Sequence, residues 1–376
     1  MPLVPRALLP LLVLALLSPA TGRAAVPAAT EAVATPAQMQ LVPLTGSLAN
    51  DTKCPTGSRC NGTGVIVKCN WNGTWRNSKA WFAERNDGLT SPRGVVVFLS
   101  GGNGKGYTWG TGDASPQMFT DLKNHNIHVV QARWNGNWML GPSGDVSAGF
   151  AHLGCRPYGL ITWVYQKVYQ QEFHLDQVPH PQFECGFCVA GTSYGTEQVA
   201  YPMTVYGVAG DGTGANAFVD AAFFAAGPTL AGMVKACTKV YGYYYDKTHR
   251  ADVDKSYGDT SGTGPCVSYS TLAIWRQTRW PNDGVDTGAI YTAFPNTRVH
   301  IILGKLDKES VWKHARDWEG QLENASPGDC DFQTSGGDVI GEPCYEILIP
   351  GMGHAIRDSL AGLANLTRGV IWPETL

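Results

Sequence analysis

The 376-residue chain is poor in charge, at 16% Asp, Glu, Lys and Arg, and what it has nearly cancels. No run of Lys or Arg interleaved with aromatics occurs, which argues against nucleic acid as a partner. Beyond the first residues no stretch offers eighteen uncharged apolar residues, so no stable membrane anchor is expected in the mature chain. The nearest approach to a phosphate-binding loop, Ser100-Gly101-Gly102-Asn103-Gly104-Lys105-Gly106, does not satisfy Gly-x-x-x-x-Gly-Lys-Ser/Thr. Cys185-Gly186-Phe187-Cys188 has no second closely spaced pair to complete a zinc set. No internal repeat is visible, and neither metal nor cofactor is expected.

What is present begins with a basic Arg6, an apolar run from Ala7 to Leu17 and small residues around Ala24. These are the three parts of a secretory signal peptide over 1–24, which predicts a secreted protein. Without Arg6 and Arg23 the 28 basic residues fall to 26 against 31 acids, a net of −5. All ten cysteines follow that segment, and an even number in an exported chain predicts disulfides, five being the simplest outcome. About 945 pairings are possible. Sequons at Asn50, Asn61, Asn72, Asn324 and Asn365 mark a glycoprotein if the source is eukaryotic.

Residues 25–45, rich in Ala, Pro, Thr and Val without period, read as a flexible leader, and 46–376 as one domain. The Trp-rich stretch to about Arg85 reads as antiparallel strands. Continuous apolar runs then recur at Gly94–Leu99, Ile127–Ala132, Phe187–Ala190, Phe218–Phe224, Arg298–Leu303 and Tyr345–Ile349. Such runs fit strands buried on both faces. Helix-compatible segments at 118–124, 158–172, 193–206, 310–322 and 355–366 separate them. The alternation predicts an α/β fold, a mostly parallel central sheet flanked by helices and stabilised by disulfides. Residues 228–295 break the rhythm and read as an insertion over the sheet, whose Tyr241–Tyr245 and Ile274–Trp280 clusters suit either a cleft lining or a local core.

Gly191-Thr192-Ser193-Tyr194-Gly195 follows an apolar strand run and precedes a helical one, the setting of a serine on a tight strand-to-helix turn. With 45 glycines and eighteen serines, chance supplies such a pentapeptide in roughly a quarter of chains of this composition. Its partners carry the case. His354, in Pro350-Gly351-Met352-Gly353-His354 after the last strand run, is placed to act as base, and Asp307, just past the Arg298–Leu303 run, to orient it. Asp220 is the weaker alternative acid, since it lies within a strand run. Tyr194, at the first turn of a helix, and Gly102 or Asn103, in the glycine-rich loop after Leu99, are candidate oxyanion donors through their amides.

These residues, in the order Ser, Asp, His, resemble the α/β-hydrolase superfamily over about 60–372. The insertion stands where that superfamily carries a variable cap, and Ser100 stands where lipase-type esterases often carry histidine. The resemblance implies a secreted serine hydrolase cleaving carboxylic esters through an acyl-enzyme, with a small or polymer-linked ester as substrate. A serine peptidase or amidase on the same fold is the alternative. A non-catalytic glycan-binding protein, suggested by twelve Trp and fifteen Tyr, is a more distant one.

Overall fold

Apolar runs long enough to be buried on both faces dominate the middle of the chain, and they assemble as one sheet. The computed structural model describes residues 39–371 apart from 46–50, 52, 56–57, 61–63, 72, 86–87, 108–114, 179–184, 210–216, 295, 323–330, 335–343 and 357–358, and for 115, 331–334, 344–347, 360 and 368 it describes the backbone alone. The expected signal segment, the sequons at Asn50, Asn61, Asn72 and Asn324, and Cys330 lie outside the described residues.

The strands are β1 (Met39–Pro43), β2 (Gly64–Trp71), β3 (Thr74–Arg85), β4 (Gly94–Leu99), β5 (Ile127–Trp134), β6 (Phe187–Thr192), β7 (Ala221–Ala225), β8 (Arg298–Gly304), β9 (Asp331–Thr334) and β10 (Cys344–Ile349). Among the described residues they form a single sheet in the order β1-β2-β3-β5-β4-β6-β7-β8-β10-β9. The first three pair antiparallel with each other and with β5, and every pairing from β5 onward is parallel. Every residue of β4 to β8 is buried, as strands covered on both faces require.

The coverings are α1 (Ser115–Asn124), α2 (Gly149–Leu153), α3 (Cys155–Val164), α4 (Glu197–Thr204), α5 (Met233–Cys237), α6 (Lys247–Ser256), α7 (Trp280–Asp283), α8 (Glu309–Glu319) and α9 (Leu360–Ile371). α3 continues as π-helical turns over Tyr165–Glu172, so the expected single helix changes its winding there. The connection from β4 through α1 to β5 and that from β5 through α3 to β6 step in opposite directions across the sheet. Right-handed crossovers therefore put α1 and α3 on opposite faces.

Two expectations need correction, and one strand was not expected. Met39–Pro43, within the stretch read as leader, is an edge strand paired with β2; an edge position tolerates Pro43, and a Cβ at Gly159 of α3 would touch Met39 and Leu41. Phe218–Asp220 precede β7 instead of opening it, and the Asp220 carboxylate accepts a hydrogen bond from the Phe187 amide at the amino edge of the sheet. β9, which no apolar run announces, pairs parallel with β10.

Four disulfides join Cys54 to Cys60, Cys69 to Cys155, Cys185 to Cys188 and Cys237 to Cys266. Of the five expected, the remaining cysteines are Cys330 and Cys344, whose side chains are not among those described. Cys69–Cys155 ties β2 to the start of α3 across 86 residues. Replacing both with Ala should lower the unfolding free energy by about 4.6 kcal/mol on the chain-entropy model. Urea titration of the two proteins checks this, and an unchanged midpoint would contradict it.

Candidate active site

β6 ends in extended backbone at Thr192 and turns at Ser193, whose φ of 52° lies in the left-handed region. For a residue with a Cβ this conformation costs roughly 1–2 kcal/mol and persists only where its surroundings enforce it. The two glycines of the pentapeptide are part of that enforcement. A Cβ on Gly191 would lie 2.2 Å from the Gly195 carbonyl oxygen, and one on Gly195 would lie 2.5 Å from that of Leu99. The chain after the serine therefore folds back onto β6 and beside the end of β4. One 3₁₀ turn, Ser193–Gly195, leads into α4.

The parallel pairing of β8 with β10 sets two further loops side by side, since Gly304 and Ile349 share a register position. Lys305 N–H donates to the Ile349 carbonyl at 3.0 Å and Leu306 N–H to that of Met352 at 2.6 Å. A Cβ on Gly304 would meet the Gly353 carbonyl at 2.3 Å. In this arrangement Asp307 and His354, 47 residues apart, become neighbours. His354 Nδ1 lies 2.9 Å from Asp307 Oδ2 and 3.1 Å from Oδ1, and His354 Nε2 lies 2.9 Å from Ser193 Oγ. The Asp307 side chain is 1% exposed and that of His354 44%. An ionised carboxylate only accepts, so it places the imidazole hydrogen on Nδ1 and leaves the Nε2 lone pair toward the Ser193 hydroxyl. Lys308 N–H also donates to the carboxylate, reaching Oδ1 at 2.6 Å.

The loop after β4 lies against the serine. A Cβ on Gly101 would sit 3.1 Å from Ser193 Cβ and 2.7 Å from the Thr192 carbonyl oxygen. Gly104 N–H closes a turn on the Gly101 carbonyl, and Trp134 and Trp138 amides hold the Gly104 and Asn103 carbonyls. Among the described residues the amides of Gly102, Asn103 and Tyr194 donate to no protein acceptor. Gly102, at φ 57°, is exposed.

Sequence reasoning passed over the residues that tie these loops together. Gln198 of α4 donates from Nε2 to the Ser100 carbonyl at 2.8 Å and accepts from Trp134 Nε1 at 2.7 Å. Glu197 is wholly buried and accepts from the Thr229 and Leu230 amides and the Thr229 hydroxyl. A glutamate and a glutamine in the first turn of a helix that must pack on a sheet were the available signal. Burial pushes the Glu197 carboxyl up to about 7, opposed by the hydrogen bonds from Leu230 and Thr229.

A cavity of about 310 Å³ opens beside Ser193 and His354. The segment between β7 and β8 contributes Thr229, Tyr244, Tyr245, Asp246 and His249, and the start of α8 contributes Val311. Asp246 caps α6 by accepting from His249 N–H at 3.0 Å, and also meets His249 Nδ1 at 2.8 Å and Lys308 Nζ at 3.1 Å. Burial alone would raise its pKa, but these His249 and Lys308 contacts outweigh it and hold the carboxyl well below its usual range. The two aromatic clusters divide between the two roles left open for them. Tyr244 and Tyr245 line the cavity, Tyr243 donates to Asp317 at 3.0 Å, and Trp275 and Trp280 are core.

No protein-family model matches the chain, and no curated protein matches it. Among solved structures the chain is similar to a thermophilic esterase from the Planctomycetes species Thermogutta terrifontis in its butyrate-bound form, at TM-score 0.45 and 14% identity over 81% of this chain and 93% of that one. It is also similar to carboxyl esterase 2 of the mycorrhizal fungus Tuber melanosporum, at TM-score 0.45 and 11% identity over 85% of this chain and 87% of that one.

Glu197 also sets a pH dependence. Its folded pKa of about 7 exceeds the ordinary 4.5, so its contribution to stability is full below pH 4.5 and is lost as pH rises through 7. The difference amounts to about 3 kcal/mol. Glu197→Gln should flatten the fall in unfolding free energy between pH 5 and 8 by about that amount. Asp254 and Asp286, which burial raises to about 6, and Asp283, which burial also raises, contribute slope of the same sign in both proteins. Denaturant unfolding at several pH values measures it, and an undiminished slope in the variant would refute the assignment.

Proposed function

We propose that the chain is a secreted serine esterase of α/β-hydrolase type, cleaving carboxylic esters through an acyl-enzyme. The observation that carries this reading is the hydrogen-bonded line from Ser193 Oγ through His354 to Asp307, built on a left-handed serine beside a glycine-rich loop. The order of these residues along the chain and their place at the carboxyl edge of a mostly parallel sheet support it.

In this mechanism His354 Nε2 removes the Ser193 proton as Oγ attacks the ester carbonyl, and Asp307 stabilises the imidazolium that forms. The amides of Tyr194 and of Gly102 or Asn103 receive the developing oxyanion. His354 then gives its proton to the leaving alcohol. Water, deprotonated by the same histidine, releases the acid and restores Ser193. The segment 228–295 acts as the cap, and the cavity formed by Tyr244, Tyr245, Thr229 and Val311 receives one side of the ester. With about 310 Å³ it suits a short or medium group better than a long chain.

Ser193→Ala should abolish hydrolysis of p-nitrophenyl esters while leaving the unfolding midpoint close to that of the parent. Asp307→Asn should lower kcat roughly 10⁴-fold, because an amide no longer fixes the imidazole tautomer. A fluorophosphonate probe should label Ser193 alone. Full activity of Ser193→Ala would refute the proposal, and faster turnover of peptide anilides than of esters would move the substrate class to amides.

A further inference from the structure

A second cavity on this edge of the sheet is lined by a buried cation that meets no acidic side chain among the described residues. Arg156, near the start of α3, is 8% exposed. Its Nη1 donates to the carbonyls of Trp138 and Leu140, and its Nε is buried without a partner among the described residues. No ion pair to Arg156 occurs among the described residues, and burial with nothing to oppose it lowers its pKa to about 10. A guanidinium taken out of water is costly unless it is paired and hydrogen-bonded, and two carbonyls leave most of its fork unused.

Arg156 lines a cavity of about 350 Å³ together with Lys79, Asn77, Ser78, Asn135 and Asn137, and among the described residues no acidic one lines it. Two positive charges with no carboxylate, in a chain whose acids outnumber its bases, select for a bound anion. A planar guanidinium matches a carboxylate in geometry. The side-chain amides and the hydroxyl can donate to or accept from hydroxyl groups beside it. The cavity borders the catalytic edge. Trp134 and Trp138, which also line it, hold the Gly104 and Asn103 carbonyls through their amides at 2.7 and 3.3 Å.

We infer that this cavity binds a small hydroxylated carboxylate, its anionic group on Arg156 and Lys79 and its hydroxyls on the asparagine side chains. The ligand is either part of an ester substrate that reaches across the Ser100–Gly104 loop or a separate small molecule. The site itself rests on Arg156 and its neighbours and stands apart from the chemistry assigned to Ser193.

Calorimetric titration of the full mature protein with glucuronate, and with its uncharged methyl ester, tests the inference. Glucuronate should bind and the methyl ester should bind about tenfold more weakly or worse. Arg156→Lys, which keeps charge but not the fork, should weaken glucuronate by about tenfold or more. Because Arg156 is buried, Lys79→Gln at the partly exposed rim provides a second variant, expected to weaken binding with the unfolding midpoint retained. No binding of glucuronate would leave Arg156 a purely structural tie and overturn the inference. Equal affinity for the methyl ester, or unaltered affinity in both variants, would overturn it as well. Competitive inhibition of ester hydrolysis by glucuronate would assign the ligand to the substrate, and binding without inhibition to a separate molecule. Run also on Ser193→Ala, in which the proposed activity cannot cleave the methyl ester to glucuronate, the titration reads binding whether or not the protein hydrolyses any ester.

Discussion

The left-handed turn at Ser193 is the constraint on which the rest of the site depends. A serine at φ 52° is strained, and it stays there because the chain before and after it is packed too closely for side chains at Gly191 and Gly195. That closeness does two things. It lifts the hydroxyl off the end of β6 into reach of His354, and it brings the loop after β4 against the serine, so that Gly101 must also lack a side chain. Ser193 and the candidate oxyanion amides are thus positioned by one act of close packing.

Two polar ties carry that geometry outward. Gln198 binds the loop after β4 to α4 and to Trp134, while Glu197 binds α4 to the beginning of the segment between β7 and β8. At the far side of the cavity Asp246 joins that segment to Lys308, next to Asp307. The cavity wall is therefore fastened both behind Ser193 and beside Asp307. A carboxyl such as Glu197, buried with one oxygen lacking a partner among the described residues, favours its neutral form, so the fastening behind Ser193 depends on pH while the exposed Asp246 contacts depend on salt.

The main architecture was legible because it rests on local pattern. Apolar runs without polar alternation mark strands covered on both faces, and β4, β5, β6, β8 and β10 lie where such runs occur. Met39–Pro43 and β9 were not legible, because short edge strands are formed by their partner's hydrogen bonds and carry little apolar signal of their own. The aromatic clusters were ambiguous for a similar reason. Tyr243 and Tyr244 are adjacent and chemically identical, yet one faces Asp317 and the other the cavity.

By itself the sequence determined the kind of sheet, the serine turn, and the glycine-rich, aspartate and histidine loops that follow successive strands, because each of these is written in residues close together along the chain. Only the tertiary structure decided that Asp307 and His354 meet, that Asp246, His249 and Lys308 line one cavity with Ser193 and His354, and that Arg156 lies buried with no acid beside it among the described residues. Those facts depend on strand order and register, which bring residues from 47 to more than a hundred positions apart to within hydrogen-bonding distance, and no local pattern encodes such distances.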